Sequence, residues 1–314
     1  MLLDTLGAGR LPVTSSTFTV WGLTATLAVE RDDQFEAALA TLWRHLDAVD
    51  LAANRFRSDS EVTRLNHAAG EPLEVSATFE DVLAAALECA RWTDGLCDPT
   101  VLAALLDLGY DRDYDELRAT GARARRAARP APGVAAIDWD RAGHRVALRD
   151  GAQVDFGASA KALVADRVAD EVAVGGGVVV EIGGDVAVRG RGPDGPWAIG
   201  VTDSLVITGR EERVALAGGG IATSSNATRT WRAGGAVVNH LVDPRTGECA
   251  DGPFATASVA STSCLRANAL ATAALLWGED APYHLAQAGA AARLVRVDGT
   301  VEYVGGWTRE GADR

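Results

Sequence analysis

Apolar and polar positions along the chain change period several times, and each change marks an element. Residues 18 to 30, FTVWGLTATLAVE, are rich in β-branched and aromatic side chains that alternate well enough to predict a strand. From Asp33 to about Ala53, Phe35, Leu39, Leu42, Leu46 and Val49 recur every three or four positions, the period of a helix with one buried stripe. SDSEVTRLN (58 to 66) predicts a short helix. Thr78 followed by Asp81 has the form of a capping box, opening a helix striped by Phe79, Val82, Leu83, Ala86, Leu87 and Ala90 that stops near Gly95.

The second half is richer in strands. HRVALRDGAQVDFG predicts a hairpin turning at Asp150-Gly151 and leads into the helix ASAKALVADRVADEV. VVVEIGGDVAVRG predicts strand, glycine turn and strand. PWAIGVTD, RVALAGGGIATSS, GAVVNHLVDPRTG and ATASVAST add short strands. An Ala/Leu-rich helix, RANALATAALLWG, follows, then a helix near 280 to 289 and a hairpin turning at Asp298-Gly299. Strands and helices mix without regular βαβ alternation, so the fold class is α+β.

Composition narrows the picture. The chain has 314 residues, 47% of them hydrophobic, enough for a proper core, and shows no internal repeat. A net charge of −13 argues against a nucleic-acid partner, because that affinity needs a basic face. A polyphosphate ligand would need local help from helix N-termini, a lysine or a bound cation. The basic stretch at 118–133, RATGARARRAARPAPG, is read as a tolerant surface insertion. Cys89, Cys97, Cys249 and Cys264 form no CxxC pair and are expected as free thiols. No apolar run reaches about 18 residues, so no membrane span is expected, and Asp4 lies where a signal peptide carries positive charge. The expected location is the cytoplasm.

Candidate chemistry lies at four places. In VDFGASAK a strand hands over to a helix whose free N–H groups can hold a phosphate, with Lys161 adding a cation where the helix dipole disfavours one. EIGGDVAV can be a plain hairpin turn, since Gly183 and Gly184 suit positive φ without any ligand. CDPT and HLVDPRTGE are Asp-Pro loops in which the aspartate caps a turn. Asn268 and Thr272, four apart, share one helix face; alone they read more simply as a local hydrogen-bonding pair. Together these features suit Mg²⁺ and a diphosphate, because hard cations take oxygen ligands and share them with substrate phosphates. No P-loop, GxSxG or HExxH is present.

The order NRFRSDSEVTRLN, DPTV, VDFGASAK, EIGGDVAVRG, GIATSS, NHLVDPRTGECA and ANALATAALLWG, from about residue 17 to 305, resembles the ApbE family of FAD:protein FMN transferases. The resemblance implies one domain over 17–305 between tails at 1–16 and 306–314. Its fold would be ApbE-like and T-fold-like, with helices packed on mixed sheets. It implies FAD as substrate, Mg²⁺ (or Mn²⁺) as cofactor, an acceptor flavoprotein with a target threonine as partner, and AMP as product. An FAD diphosphatase and a non-catalytic FAD-binding protein are the alternatives. By position, the metal ligands fall on the Ala158 carbonyl and on Asn268 and Thr272. Lys161 falls on the family's lysine, and His240 or Asp243 is the candidate general base, with His240 alternatively orienting its loop. Trp21, Phe56, Asp98, Lys161, Gly183, Gly184, Asp185 and Leu241 fall at the FAD-binding positions. This sequence departs from the family pattern in Trp21-Gly22-Leu23, in Gly157-Ala158-Ser159 and in Asn268, which stands where an aspartate is usual. A neutral amide contributes no charge to Mg²⁺, so FAD phosphates or a carboxylate such as Asp243 must compensate.

Overall fold

The structure is a computed structural model that describes residues 13–122, 126–202 and 212–307. The chain opens with β1 (Thr14–Val20) and β2 (Leu23–Val29), then α1 (Phe35–Ala53), α2 (Glu61–His67), the short β3 (Leu73–Glu74), α3 (Ala77–Trp92), α4 (Leu102–Asp107) and α5 (Tyr114–Thr120). Strands β4 (Ile137–Asp140) and β5 (Arg145–Leu148) lead to α6 (Ala160–Val172) and the hairpin β6 (Val178–Ile182) and β7 (Asp185–Arg189). Next come β8 (Trp197–Val201), β9 (Glu212–Leu216), β10 (Gly218–Ser225), β11 (Thr230–Ala233) and β12 (Ala236–Asn239). The last elements are β13 (Phe254–Ser261), α7 (Cys264–Trp277), α8 (Ala281–Gln287), β14 (Ala291–Arg296) and β15 (Val301–Val304).

These elements fall into two compact units. One comprises Met1–His45, Lys161–Ser224 and Pro253–Arg314; the other comprises Leu46–Ala160 and Ser225–Gly252. The first is built on an eight-stranded sheet in the order β1-β2-β6-β7-β10-β13-β14-β15. On one flank, Val179, Val186, Val188 and Ile221 bury against Trp197, Ile199, Val201 and Val214 of the β8-β9 ribbon. Helix α7 packs against β13 and β7. It is buried around nearly its whole circumference, as its Ala/Leu composition demands.

The second unit holds the three-stranded sheet β3-β5-β4, the β11-β12 ribbon and helices α2 to α5. Leu105, Leu108, Tyr110 and Leu117 cluster with Trp231, Val238 and Val242, and the Trp231 indole donates to the Leu108 carbonyl at 2.8 Å. Phe79 meets Phe156 edge-on, with centroids 5.5 Å apart. Antiparallel strand pairs and helices laid on sheets give the α+β class that the mixed pattern predicts.

Local chemistry overturns three sequence expectations. The run from 18 to 30 belongs to a hairpin, not one strand, because Trp21 (φ 51°) and Gly22 (φ 70°) both take left-handed backbone and reverse the chain between β1 and β2. Helix α3 is capped by Ser76, whose hydroxyl accepts from the Phe79 N–H at 3.1 Å, so Thr78 lies inside the helix. Asp150 and Gly151 do turn, with positive φ, but no hairpin follows: β3 and β4 already occupy the two edges of β5. Gln153 makes a bridge to Val101 instead.

Parts of the basic stretch are tied down. Arg129 donates to the buried Asp107 carboxylate at 2.8 and 3.0 Å, and the Ala131 N–H donates to the Pro244 carbonyl at 2.8 Å. Residues 123 to 125 lie outside the described residues, as do most of both tails. Among the described residues no helix is long and apolar enough to cross a membrane.

Candidate active site

The two-residue turn at Gly183-Gly184 sets the geometry of the first unit. Both glycines have left-handed φ, 63° and 94°, and a Cβ on Gly183 would come within 2.7 Å of Leu23 Cδ1. The turn starts β7 at Asp185, whose side chain is 6% exposed. Two groups converge on one oxygen of this buried carboxylate: Lys161 Nζ from the first turn of α6 lies 3.2 Å from Asp185 Oδ2, and Asn268 Nδ2 from α7 donates to it at 3.0 Å. Thr272, one turn along α7, hydrogen-bonds Asn268 Oδ1 at 3.4 Å and shares a 3.2 Å hydroxyl contact with Ser224. Asn268 and Thr272 are 5% and 8% exposed. The polar pair thus faces into the protein, beside the lysine, and not into solvent.

Helix α7 is held in register by a carboxylate that sequence reasoning passed over. Asp166 on α6 accepts from the Cys264 N–H at 3.0 Å and the Leu265 N–H at 2.8 Å, and Arg189 donates to it at 3.0 Å. Ser263 completes the cap by accepting from the Arg266 N–H. Burial raises the Asp166 carboxyl above its usual range, against the pull of those N–H groups and of Arg189. One helix therefore carries both Lys161 and the carboxylate that caps the helix of Asn268 and Thr272. An Asp at 166 amid the apolar ALVADRVA is the sequence signal for it.

Trp21 completes the expected set in the first unit, at the β1-β2 turn. The remaining candidates lie in the second unit. Phe56 is 42% exposed, with the Arg55 guanidinium 4.1 Å from its ring centroid. Arg55 also stacks on Tyr110 and pairs with Asp155 at 2.6 Å. Asp98 is buried, and its Oδ1 accepts from the N–H and hydroxyl of Thr100, both at 2.7 Å, the turn-capping role that its Asp-Pro loop predicts. Ala158 is exposed in the turn before α6.

Leu241 is buried, its N–H donating to Asn239 Oδ1 at 2.9 Å, and His240 beside it is half-buried. Asp243 is clamped by its own loop: Arg245 donates side-chain bonds at 2.7 to 3.1 Å and a backbone bond at 2.9 Å. Burial would raise the Asp243 carboxyl, but the Arg245 bonds outweigh it and hold the group below its usual range. The carboxylate in contact with Asn268 is Asp185, 83 positions away in sequence.

Among the described residues no group of three or more His, Cys, Asp or Glu side chains gathers as a metal cluster. The oxygen donors present are an amide, two hydroxyls and one carboxylate. They suit a hard divalent cation in kind, with one negative charge among them.

An ammonium beside oxygen donors is a set that can meet a phosphate ester and a hard cation. The chain belongs to the ApbE family, which it matches over residues 18–294. It is 29% identical over 273 residues to the FAD:protein FMN transferase of Vibrio cholerae, covering 83% of this chain and 80% of that one. It is 28% identical over 244 residues to the Salmonella typhimurium enzyme of the same name, covering 74% and 69%. The flavinyl transferase ApbE of Pseudomonas stutzeri, in its apo form, superposes with a TM-score of 0.77 at 26% identity, over 95% of this chain and 96% of that one. The fold also matches the ApbE protein of Thermotoga maritima, with a TM-score of 0.79 at 24% identity, covering 93% and 97%.

Proposed function

We propose that this protein is a transferase that moves the FMN half of FAD onto a threonine hydroxyl of an acceptor flavoprotein, releasing AMP. The observation that carries this reading is the meeting of Lys161, Asn268 and Thr272 around the buried Asp185. In the reaction the threonine oxygen bonds to the FMN-side phosphorus, the bond from that phosphorus to the bridging oxygen breaks, and AMP leaves with the electron pair. The hydroxyl proton passes to a base.

Lys161 offsets charge on the diphosphate as the bridging bond breaks. Of the two candidate bases, His240 suits the task better, because the Asp243 carboxylate is occupied by Arg245 and held in its weakly basic range. Asn268 and Thr272, with the Ala158 carbonyl, are the proposed holders of Mg²⁺ or Mn²⁺. Such an ion supplies Lewis acidity toward the phosphoryl oxygens when bound. Trp21, Phe56, Asp98, Gly183, Gly184, Asp185 and Leu241, with Lys161, are the residues proposed to meet FAD.

AMP release tests the reading. With FAD and Mg²⁺, AMP should appear only when a threonine-bearing acceptor is added, and Lys161→Ala should slow its release by about a hundredfold or more. AMP without acceptor would mark an FAD diphosphatase, and no AMP under any condition would mark a flavin carrier. An unchanged rate in Lys161→Ala would remove that residue from the mechanism.

A further inference from the structure

The proposed metal position has lost a charge: Asn268 brings an amide where the family pattern brings a carboxylate. Its surroundings show how the loss is made good. An ionised carboxylate only accepts hydrogen bonds, so the Asn268 group directed at Asp185 must be the NH₂. With Nδ2 fixed on Asp185 Oδ2 at 3.0 Å, Asn268 Oδ1 is turned to the other side, toward Thr272 Oγ1. The amide dipole therefore points its negative end at the one other oxygen donor on that face of α7. All three side chains are at least nine-tenths buried, so the orientation is set in low dielectric, where a nearby full charge acts strongly.

We infer that Asp185 is a positioning residue for a divalent cation. It fixes the Asn268 amide with Oδ1 presented beside Thr272 Oγ1, and it supplies from one side chain away the negative charge that Asn268 lacks. This rests on the reading of Asn268 and Thr272 as metal ligands. Asp185 already neutralises Lys161, so the Lys161 ammonium shares the carboxylate oxygen that the amide uses. Removing the Asp185 charge thus leaves the half-buried Lys161 ammonium without that counter-charge beside a neutral amide, and a cation approaching Asn268 would meet net repulsion.

The test is direct binding of Mn²⁺ to the whole protein without FAD or acceptor, followed by the paramagnetic signal of the free ion, with unfolding midpoints measured alongside. The wild type should bind Mn²⁺ in the micromolar to millimolar range. Asp185→Asn should weaken binding by about tenfold to a hundredfold. The exchange Asp185→Asn with Asn268→Asp moves the carboxylate onto α7 while keeping one amide and one carboxylate in contact, and it should restore binding to the wild-type level or better.

Asn268→Asp alone, which needs no change at Asp185, should bind Mn²⁺ more tightly than the wild type. Wild-type affinity in Asp185→Asn, no recovery in the exchange variant, or no gain in Asn268→Asp would overturn the inference, as would a wild type that binds no Mn²⁺. FMN transfer is not read in this experiment, so failure of the proposed reaction leaves its result intact, and the converse holds.

Discussion

Buried ionisable side chains in this protein differ in how completely they are matched, and Glu181 on β6 is matched at one oxygen only. Its Oε1 accepts from the Gly184 N–H at 3.0 Å, whereas its Oε2 is buried with no hydrogen-bond partner. Burial is the main reason its carboxyl stands above the usual range, opposed by the Gly184 N–H and by Thr26. Below the ordinary carboxyl value the group is neutral in the folded and unfolded chain alike and costs nothing. As pH rises through the higher folded-state value, the unfolded chain holds fewer protons than the folded one, so stability falls. Glu181→Gln should therefore raise the thermal unfolding midpoint by about a few degrees at pH 8 and change it little at pH 4. Equal shifts at both values would contradict this account. At this scale the sequence was partly legible: Asn268 and Thr272 declare their common face by spacing, and Lys161 by its awkward place at a helix start. The tie from Asn268 to Asp185 was not, because no local period links residues 83 positions apart.

Elements carry these residues into place, and α7 depends on its N-terminal cap. Its composition predicts burial, but burial alone does not fix how far the helix slides along β13; the Asp166 bonds to Cys264 and Leu265 do. Asp166→Ala leaves two backbone donors and Arg189 without that acceptor, so stability should drop by about 1–3 kcal/mol in denaturant unfolding. A loss within about 0.5 kcal/mol of zero would show that packing alone holds the helix. Long periodic segments such as α1 and α3 were readable from their stripes. The β1-β2 hairpin was not, because Trp21 in left-handed backbone is a turn residue that residue preferences argue against. The cap of α3 slipped by two positions because Ser76 and Thr78 both suit the role, and only the Ser76 bond to Phe79 separates them.

On the scale of the whole molecule, a chain of net charge −13 that is to bind a diphosphate, as proposed, needs a positive field created locally. In the proposed site the local cation is Lys161, which pairs with Asp185 at 3.2 Å. The α+β class could be read from mixed strand and helix periods, whereas the division into two units could not: segments far apart in sequence make up each unit. The proposed transfer, on the ApbE frame to which the chain belongs, would give these local features a common purpose. The most direct measurement of that purpose is the intact mass of a threonine-bearing acceptor after incubation with the protein, FAD and Mg²⁺. The acceptor should be heavier by one FMN less one water, with the added mass on the threonine. An acceptor of unchanged mass, with FAD bound and the protein folded, would contradict the proposed transfer.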